Sequence, residues 1–276
     1  MSILVKAGTW TKSIGFIKNN PVLRKSLRRA GVYISRKLYP KGVIKNIGGV
    51  GYFLMSPEFT FYNFKEWGCG KNNGFHKLIE LAKGKSVAFD VGAHIGVCSL
   101  TLSRVLEDGG ACYAFEPAEA NRKYLKAHLK MNNNDIVKVI PFLVGDKCDD
   151  CVEFYETSSD SGMNSLCQPE NKGSCYNKIV KEQITLDYFV EKNGCIPELI
   201  KIDVEGAEIS VLRGAKAVLG KYHPEIIISV HLKHLRILGY SVVDLMEVIH
   251  ELDYQIYNID GSQVSGKLQS REYYLN

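Results

Sequence analysis

What this 276-residue chain lacks narrows it first. No run of apolar residues approaches the roughly 20 that a helix needs to cross a bilayer, which excludes a helical membrane span. The opening residues show no apolar core of a secretory leader, so a cytoplasmic protein is expected. The eight cysteines are scattered, with Cys98 and Cys112 inside apparent helix or strand. That is no disulfide framework, and reduced thiols are expected. No segment repeats. The Gly-x-Gly-x-x-Gly fingerprint of dinucleotide sites, whose second glycine makes room for a pyrophosphate, is missing as well.

Acidic residues are absent from one whole region. Residues 1–50 hold eleven Lys and Arg and no Asp or Glu, so they carry +11. Since the full chain carries only +5, the remainder carries −6. Asn20-Pro21 can start a helix, because proline suits a first helical turn. Leu23, Leu27, Ala30, Ile34 and Leu38 then share one face, while Arg24, Lys25, Arg28, Arg29, Arg36 and Lys37 fall mostly elsewhere. Such a basic amphipathic helix suits an anionic membrane surface through residues 1–40, with peripheral attachment at its inner face. Packing against the domain with a solvated basic face suits it equally. Nucleic acid is disfavoured as a partner, because the helix has little aromatic interleaving for base stacking.

Against these absences stands one dense stretch, Ser86-Val-Ala-Phe-Asp-Val-Gly-Ala-His-Ile-Gly-Val-Cys-Ser-Leu100. Val87–Val91 is a short apolar run, the pattern of a strand buried on both faces. Gly92 and Gly96 bracket a tight turn, and the spacing of Ile95, Cys98, Leu100, Leu102, Val105 and Leu106 suits a packed helix. A glycine turn lets backbone approach a ligand, and a helix start offers unpaired N–H groups. His94 sits where a pyrophosphate would need space. Asp90 ahead of the turn favours a ligand bearing an ammonium or sulfonium, which describes S-adenosylmethionine. An ordinary strand-to-helix turn would look similar, but the next strand argues against one. Ala111-Cys-Tyr-Ala-Phe ends in Glu116-Pro117, 20 residues beyond Gly96, where an acid is placed to hold both ribose hydroxyls.

Strands and helices alternate from there. Strands are expected at 137–144, 152–155, 199–202, 225–231 and 255–259, and helices at 118–131, 207–219 and 242–252. Residues 156–182 read as a polar insertion, the kind of loop that carries binding function. The expectation is a doubly wound Rossmann-like α/β sheet of about seven strands, with a basic extension over 1–67 and the main domain over 68–276. Asp90, Glu116, Asp146, Asp203, Glu205 and His231 all stand at or just past strand ends, along the edge where such sheets bind ligands.

These residues resemble the FkbM family of S-adenosylmethionine-dependent methyltransferases. Asp90-Val-Gly-Ala-His-Ile-Gly is similar to its first motif, Phe115-Glu-Pro to its second and Val144-Gly-Asp to its third. Ile202-Asp-Val-Glu-Gly-Ala-Glu208 resembles its most characteristic block, and Ser161-Gly-Met-Asn-Ser-Leu166 its serine-rich loop. His94 stands where the family often has asparagine. The resemblance covers about residues 70–260. It implies a class I methyltransferase sheet, S-adenosylmethionine contacts at Asp90, Gly92, Ala93, His94, Gly96, Glu116, Pro117, Val144 and Asp146, and O-methylation of a saccharide, glycoconjugate or other hydroxylated metabolite or lipid. The chain lacks the Asn/Asp-Pro-Pro-Tyr sequence that many enzymes methylating base amino groups carry.

A sugar hydroxyl is a poor nucleophile and gains from a base within hydrogen-bond reach. His231, with an ordinary pKa near 6.5, is the first candidate. Asp203 and Glu205 follow, either to bind the acceptor or to orient His231. The competing class is a non-catalytic module that binds S-adenosylmethionine or an anionic surface. Asp203, Glu205 and His231 could instead chelate a divalent cation, but magnesium prefers oxygen ligands, so no metal is expected. Cys148, Cys151, Cys167 and Cys175 could form a zinc site, though their spacing is irregular.

Overall fold

The computed structural model describes residues 20–70, 72–157 and 176–276. In chain order, helix α1 (Pro21–Leu38) leads to a hairpin of β1 (Val43–Ile47) and β2 (Gly51–Met55) and then to α2 (Phe75–Ala82). The central units follow: β3 (Val87–Val91), α3 (Val97–Leu102), β4 (Ala111–Phe115), α4 (Glu119–Met131) and β5 (Val137–Ile140). Next come β6 (Leu143–Val144), β7 (Asp149–Thr157) and β8 (Tyr176–Ile184), then α5 (Leu186–Asn193) and β9 (Leu199–Ile202). The chain closes with α6 (Glu208–Arg213), α7 (Lys216–Tyr222), β10 (Glu225–Ser229), α8 (Leu232–Ile237), α9 (Val242–Glu251), β11 (Ile256–Tyr257) and β12 (Glu272–Leu275).

Seven strands form the main sheet in the order β11-β12-β10-β9-β3-β4-β5. β5, β4, β3, β9 and β10 run parallel, while β12 is antiparallel to both β10 and β11. β3, β4 and β5 step outward in one direction, and the chain then returns to the other side of β3 with β9. The order therefore reverses between β3 and β9, and a crevice opens at their carboxyl ends. Both faces are covered. Phe89, Phe115, Ile200 and Ile228 pack against α5, α6 and α9 on one side. Ala88, Ala114 and Leu199 pack against α2, α3 and α4 on the other.

Two sequence expectations change, and one strand is unforeseen. The strand expected over 137–144 breaks at Pro141, which has no N–H to donate to a ladder. Its second piece, β6, joins a separate sheet in the order β6-β8-β7. The polar insertion expected over 156–182 is partly strand, because β8 pairs antiparallel with β7. Finally, β12 inserts between β10 and β11, a long-range pairing with no local signature.

Val43, Ile47, Phe53, Met55, Phe59 and Phe64 belong to the same buried cluster as Ala88, Leu100 and Leu125. Asn132, at the end of α4, fastens β2 like a short strand. Its side chain accepts from the Leu54 N–H at 2.9 Å and donates to the Leu54 carbonyl at 2.8 Å.

Helix α1 begins as its sequence indicates, with Asn20 Oδ1 accepting from the Leu23 N–H at 3.0 Å. Its apolar stripe faces outward: Leu27 is 40% exposed, Ile34 44% and Leu38 58%. The buried sector is instead at Ser35 and Gly31, where a Cβ added to Gly31 would lie 3.0 Å from the Phe61 ring. Arg36 pairs with Glu58 at 2.7 Å, and Arg28 donates to the Tyr62 hydroxyl at 3.0 Å. No helix among the described residues is long and apolar enough to cross a membrane.

Candidate active site at the strand switch point

β3 ends in a turn held by the neighbouring strand. The N–H groups of Gly92 and Ala93 both donate to the Phe115 carbonyl at 3.0 Å. Gly92 has φ +83°, and a Cβ there would stand 1.9 Å from the Asp203 carbonyl oxygen. Only glycine lets β3 and β9 approach this closely where their order reverses. His94 adopts a left-handed φ of +51°, which costs a non-glycine residue roughly 1 kcal/mol and turns its N–H toward Glu116. Buried His128 supports the turn from α4, with Nδ1 donating to the Ile95 carbonyl at 2.8 Å.

Glu116 is the best-anchored acid of the crevice. Oε2 accepts from the His94 N–H at 2.7 Å, and Oε1 accepts from the Ala118 N–H at 2.8 Å and the Asn121 amide at 3.2 Å. Burial raises its pKa to about 7 despite the opposing pull of those donors. The side chain is fixed before any ligand arrives.

A cavity of about 360 Å³ runs along this edge. Its walls include Gly92, Ala93, His94, Glu116, Pro117 and Val144, together with Asp203 and Glu205. Six of the nine residues singled out for cofactor contact are thus brought together with both carboxylates. Three are not. Gly96 caps α3 with φ +85° and does not line the cavity. Asp146 is exposed, beside Gly214 at the end of α6. Asp90 is fully buried, and its carboxylate is already used: Oδ2 accepts from the Ser99 hydroxyl at 2.6 Å and Oδ1 from Lys201 Nζ at 3.0 Å. The charge that the sequence offers to a ligand cation is therefore neutralised by a lysine of the next strand.

Asp90 and Lys201 are lateral partners in the β3–β9 register, so their side chains share one sheet face. Lys201 lines the cavity, with Nζ 3.7 Å from Asp203 Oδ2. Burial alone would lower its pKa, but Asp90 and Asp203 overcome this and raise it, so the ammonium stays charged. A lysine inside the apolar run of β9 was the available sign, since a buried cation needs a partner.

Past β9, Glu205 takes a left-handed φ of +52° and Gly206 one of +106°. A Cβ on Gly206 would come 2.6 Å from that of His234, so glycine lets α8 close onto this turn. His231, the N-cap of α8, then meets three acids. Its Nδ1 lies 2.7 Å from Oε1 of fully buried Glu208. A carboxylate can only accept, so Nδ1 donates. Nε2 faces Asp203 at 3.6 Å and Glu205 at 3.7 Å, and His234 Nδ1 lies 2.9 Å from Glu205. Burial lowers the His231 pKa, but the Glu208 bond and the charges of Glu205 and Asp203 outweigh it and raise it to about 9. Burial also holds the Glu205 pKa up, against the attraction of His231.

His231 itself does not line the cavity; it reaches it through Asp203 and Glu205. Orienting His231 falls to Glu208, the last residue of the 202–208 block, rather than to Asp203 or Glu205. Among the described residues no cluster of three or more His, Cys, Asp or Glu could hold a metal ion. Cys148 and Cys151 are exposed free thiols. Cys167, Cys175 and the serine-rich loop lie outside the described residues.

The seven-stranded order, with a glycine turn after β3 and an acid at the end of β4, is the Rossmann-like sheet of the class I methyltransferases. The chain belongs to the FkbM family of these enzymes: the Methyltransferase FkbM domain matches residues 90–256. Among solved structures it is similar to the methyltransferase FkbM from Methylobacillus flagellatus KT, at 17% identity, covering 79% of this chain and 54% of that one, with TM-score 0.47. It therefore spans about half the length of that structure. It is also similar to the O-methyltransferase from Bacillus cereus in complex with SAH, at 14% identity over 74% of this chain and 79% of that one, with TM-score 0.42. A third is the precorrin-6y C5,15-methyltransferase from Geobacter metallireducens GS-15, at 11% identity over 75% and 87%, with TM-score 0.44. No curated protein sequence matches the chain.

The residues present fit the cofactor. The buried, pre-oriented Glu116 carboxylate suits a pair of ribose hydroxyls, and the glycine at the switch point leaves backbone free to lie against a ligand. Pro117, Phe142 and Val144 supply an apolar wall for a base.

Proposed function

We propose that this enzyme transfers a methyl group to a hydroxyl of a saccharide or glycoconjugate. The observation that carries the reading is an imidazole fixed at Nδ1 by a buried carboxylate, with Nε2 turned toward two carboxylates of the cavity wall. Bound S-adenosylmethionine supplies a methyl group made electrophilic by its sulfonium. Glu116, the Gly92–His94 backbone and the Phe142–Val144 wall would hold it. The protein's part is alignment and proton removal. Asp203 or Glu205 accepts the hydrogen bond of the acceptor hydroxyl and relays its proton to Nε2 of neutral His231, which lies behind them. Glu208 then stabilises the imidazolium.

The test uses methyl-labelled S-adenosylmethionine with a panel of oligosaccharides, other hydroxylated metabolites, amines and carbon acids, with products read by NMR. Label in an O-methyl ether of a saccharide is expected. Label only on nitrogen or carbon overturns O-transfer, and label only on a non-sugar hydroxyl overturns the saccharide. Calorimetric cofactor binding with transfer to no class of acceptor would favour the non-catalytic module.

We also propose that α1 attaches the enzyme to the inner face of an anionic membrane. The supporting observation is the outward stripe of Leu27, Ile34 and Leu38 on a helix whose exposed residues also include Arg29 and Lys37. Each basic residue near such a surface is worth about 1 kcal/mol, and exposed leucine side chains add by insertion. Sedimentation with phosphatidylserine vesicles should show binding that weakens with salt and falls in Leu27→Ser/Ile34→Ser/Leu38→Ser. Equal binding by that variant, or none by the parent, would exclude the attachment.

A further inference from the structure

A second cavity, of about 350 Å³, adjoins the first. Trp67, Asn72, His94 and Val97 line both, so the two spaces meet around the His94 side chain. The second is walled by Phe59, Tyr62, Asn63 and Phe64, all from the segment between β2 and α2 that precedes the family-matched residues.

The aromatic residues there divide by task. Phe59 is an anchor: it is 1% exposed and packs edge-on against Tyr124 at 5.2 Å and His128 at 5.4 Å, fastening the segment to α4. Tyr62 and Phe64 lie nearly parallel, 5.9 Å apart and inclined by 16°. Trp67 continues the wall. Its two aromatic neighbours, Phe64 at 5.8 Å and Phe75 at 5.7 Å, are inclined to it by 70° and 82°. Among the described residues, then, no aromatic ring stacks on the indole face. Phe75 belongs to the wall of the first cavity, so the aromatic surface is continuous from one to the other.

An aromatic face is electron-rich and attracts the weakly positive C–H groups along one side of a pyranose ring. Amides serve the rim of such a ring, because each offers two donors and an acceptor to hydroxyl groups. Asn63 and Asn72, both exposed at this cavity, supply them.

We propose that this second cavity is the acceptor subsite, in which a sugar ring lies against the Trp67–Tyr62 wall with its hydroxyls on Asn63 and Asn72. The inference rests on the saccharide reading above and names the residues that select the substrate. Tyr62 and Asn63 line only the second cavity, so they separate acceptor binding from cofactor binding.

The chain has two tryptophans, Trp10 and Trp67, so Trp10→Phe leaves Trp67 as the single reporter. Titration of that protein, saturated with S-adenosylhomocysteine, with methyl β-glucoside, methyl α-mannoside and catechol should change Trp67 emission with a glycoside and not with catechol. Tyr62→Ala and Asn63→Ala should each weaken glycoside binding about tenfold, Tyr62→Phe should retain it, and S-adenosylhomocysteine affinity should stay within twofold in calorimetry. Glycoside binding unchanged in folded Tyr62→Ala and Asn63→Ala, or binding of catechol alone, would overturn the subsite. The two readings fail separately. Sugar O-methylation at parental KM in both variants would discard the subsite and keep the activity. Glycoside binding lost in the variants of a chain that methylates no hydroxyl would keep the subsite and discard the activity.

Discussion

The methyl-transfer rate is expected to climb as pH rises through about 9, and Glu208→Gln to move that climb to lower pH. At neutral pH three acids hold His231 as imidazolium, which cannot accept a proton. The competent neutral form accumulates only as pH passes its raised pKa, so the limb should have unit slope and level off above it. Glu208→Gln keeps a hydrogen-bond acceptor for Nδ1 but removes the negative charge that favours the imidazolium. The base is then released at lower pH. His231→Ala should lower kcat by about 10²- to 10⁴-fold and erase the limb, with cofactor affinity little changed. A profile that is flat from pH 7 to 10, or the same in Glu208→Gln, would remove His231 from proton transfer.

The same group makes stability depend on pH. The folded pKa of His231, about 9, lies above the value near 6.5 expected in the unfolded chain. Its contribution is therefore complete below about pH 6.5 and is lost as pH rises through about 9. Urea midpoints measured across that window should fall for the parent and fall less for His231→Ala.

The second large effect is expected at Lys201. Lys201→Met leaves the fully buried Asp90 carboxylate with only the Ser99 hydroxyl as a side-chain partner. Removing one member of a buried ion pair costs about 3–5 kcal/mol, because the remaining charge is stranded away from water. Asp90→Asn in the same chain removes that charge, so the double variant should be more stable than Lys201→Met alone. Urea denaturation of the parent, both single variants and the double variant measures the coupling. Additive losses would mean that the two side chains do not stabilise each other. Cofactor affinity should fall in Lys201→Met as well, since the pair joins β3 and β9 beneath the cavity floor.

Much of this site was legible because its signals are local. A glycine turn after a buried strand, an acid one strand later and carboxylates just past the 199–202 run each declare themselves within a few residues. Six of the nine proposed cofactor contacts and both carboxylates do line one cavity. The alternation of strand and helix likewise gave the mostly parallel sheet, because backbone hydrogen bonding and burial on both faces impose that pattern on each segment.

What remained was a matter of partners distant in sequence. Asp90 reads as a ligand-facing charge until β9 brings Lys201 alongside it, 111 residues away. Glu208 reads as the end of a motif until α8 closes over Gly206 and sets His231 upon it. β12 has an ordinary strand composition, and only the edge left open by β10 determines where it pairs. The apolar stripe of α1 is visible in sequence, but the helix packs through Gly31 and Ser35, where small residues admit the Phe61 ring. Residue types and spacings thus determined the glycine turn, the acid at the end of β4 and the class of fold. Tertiary structure alone decided which charges are neutralised and which face the cavity, because a charge's availability depends on neighbours that arrive from elsewhere in the chain.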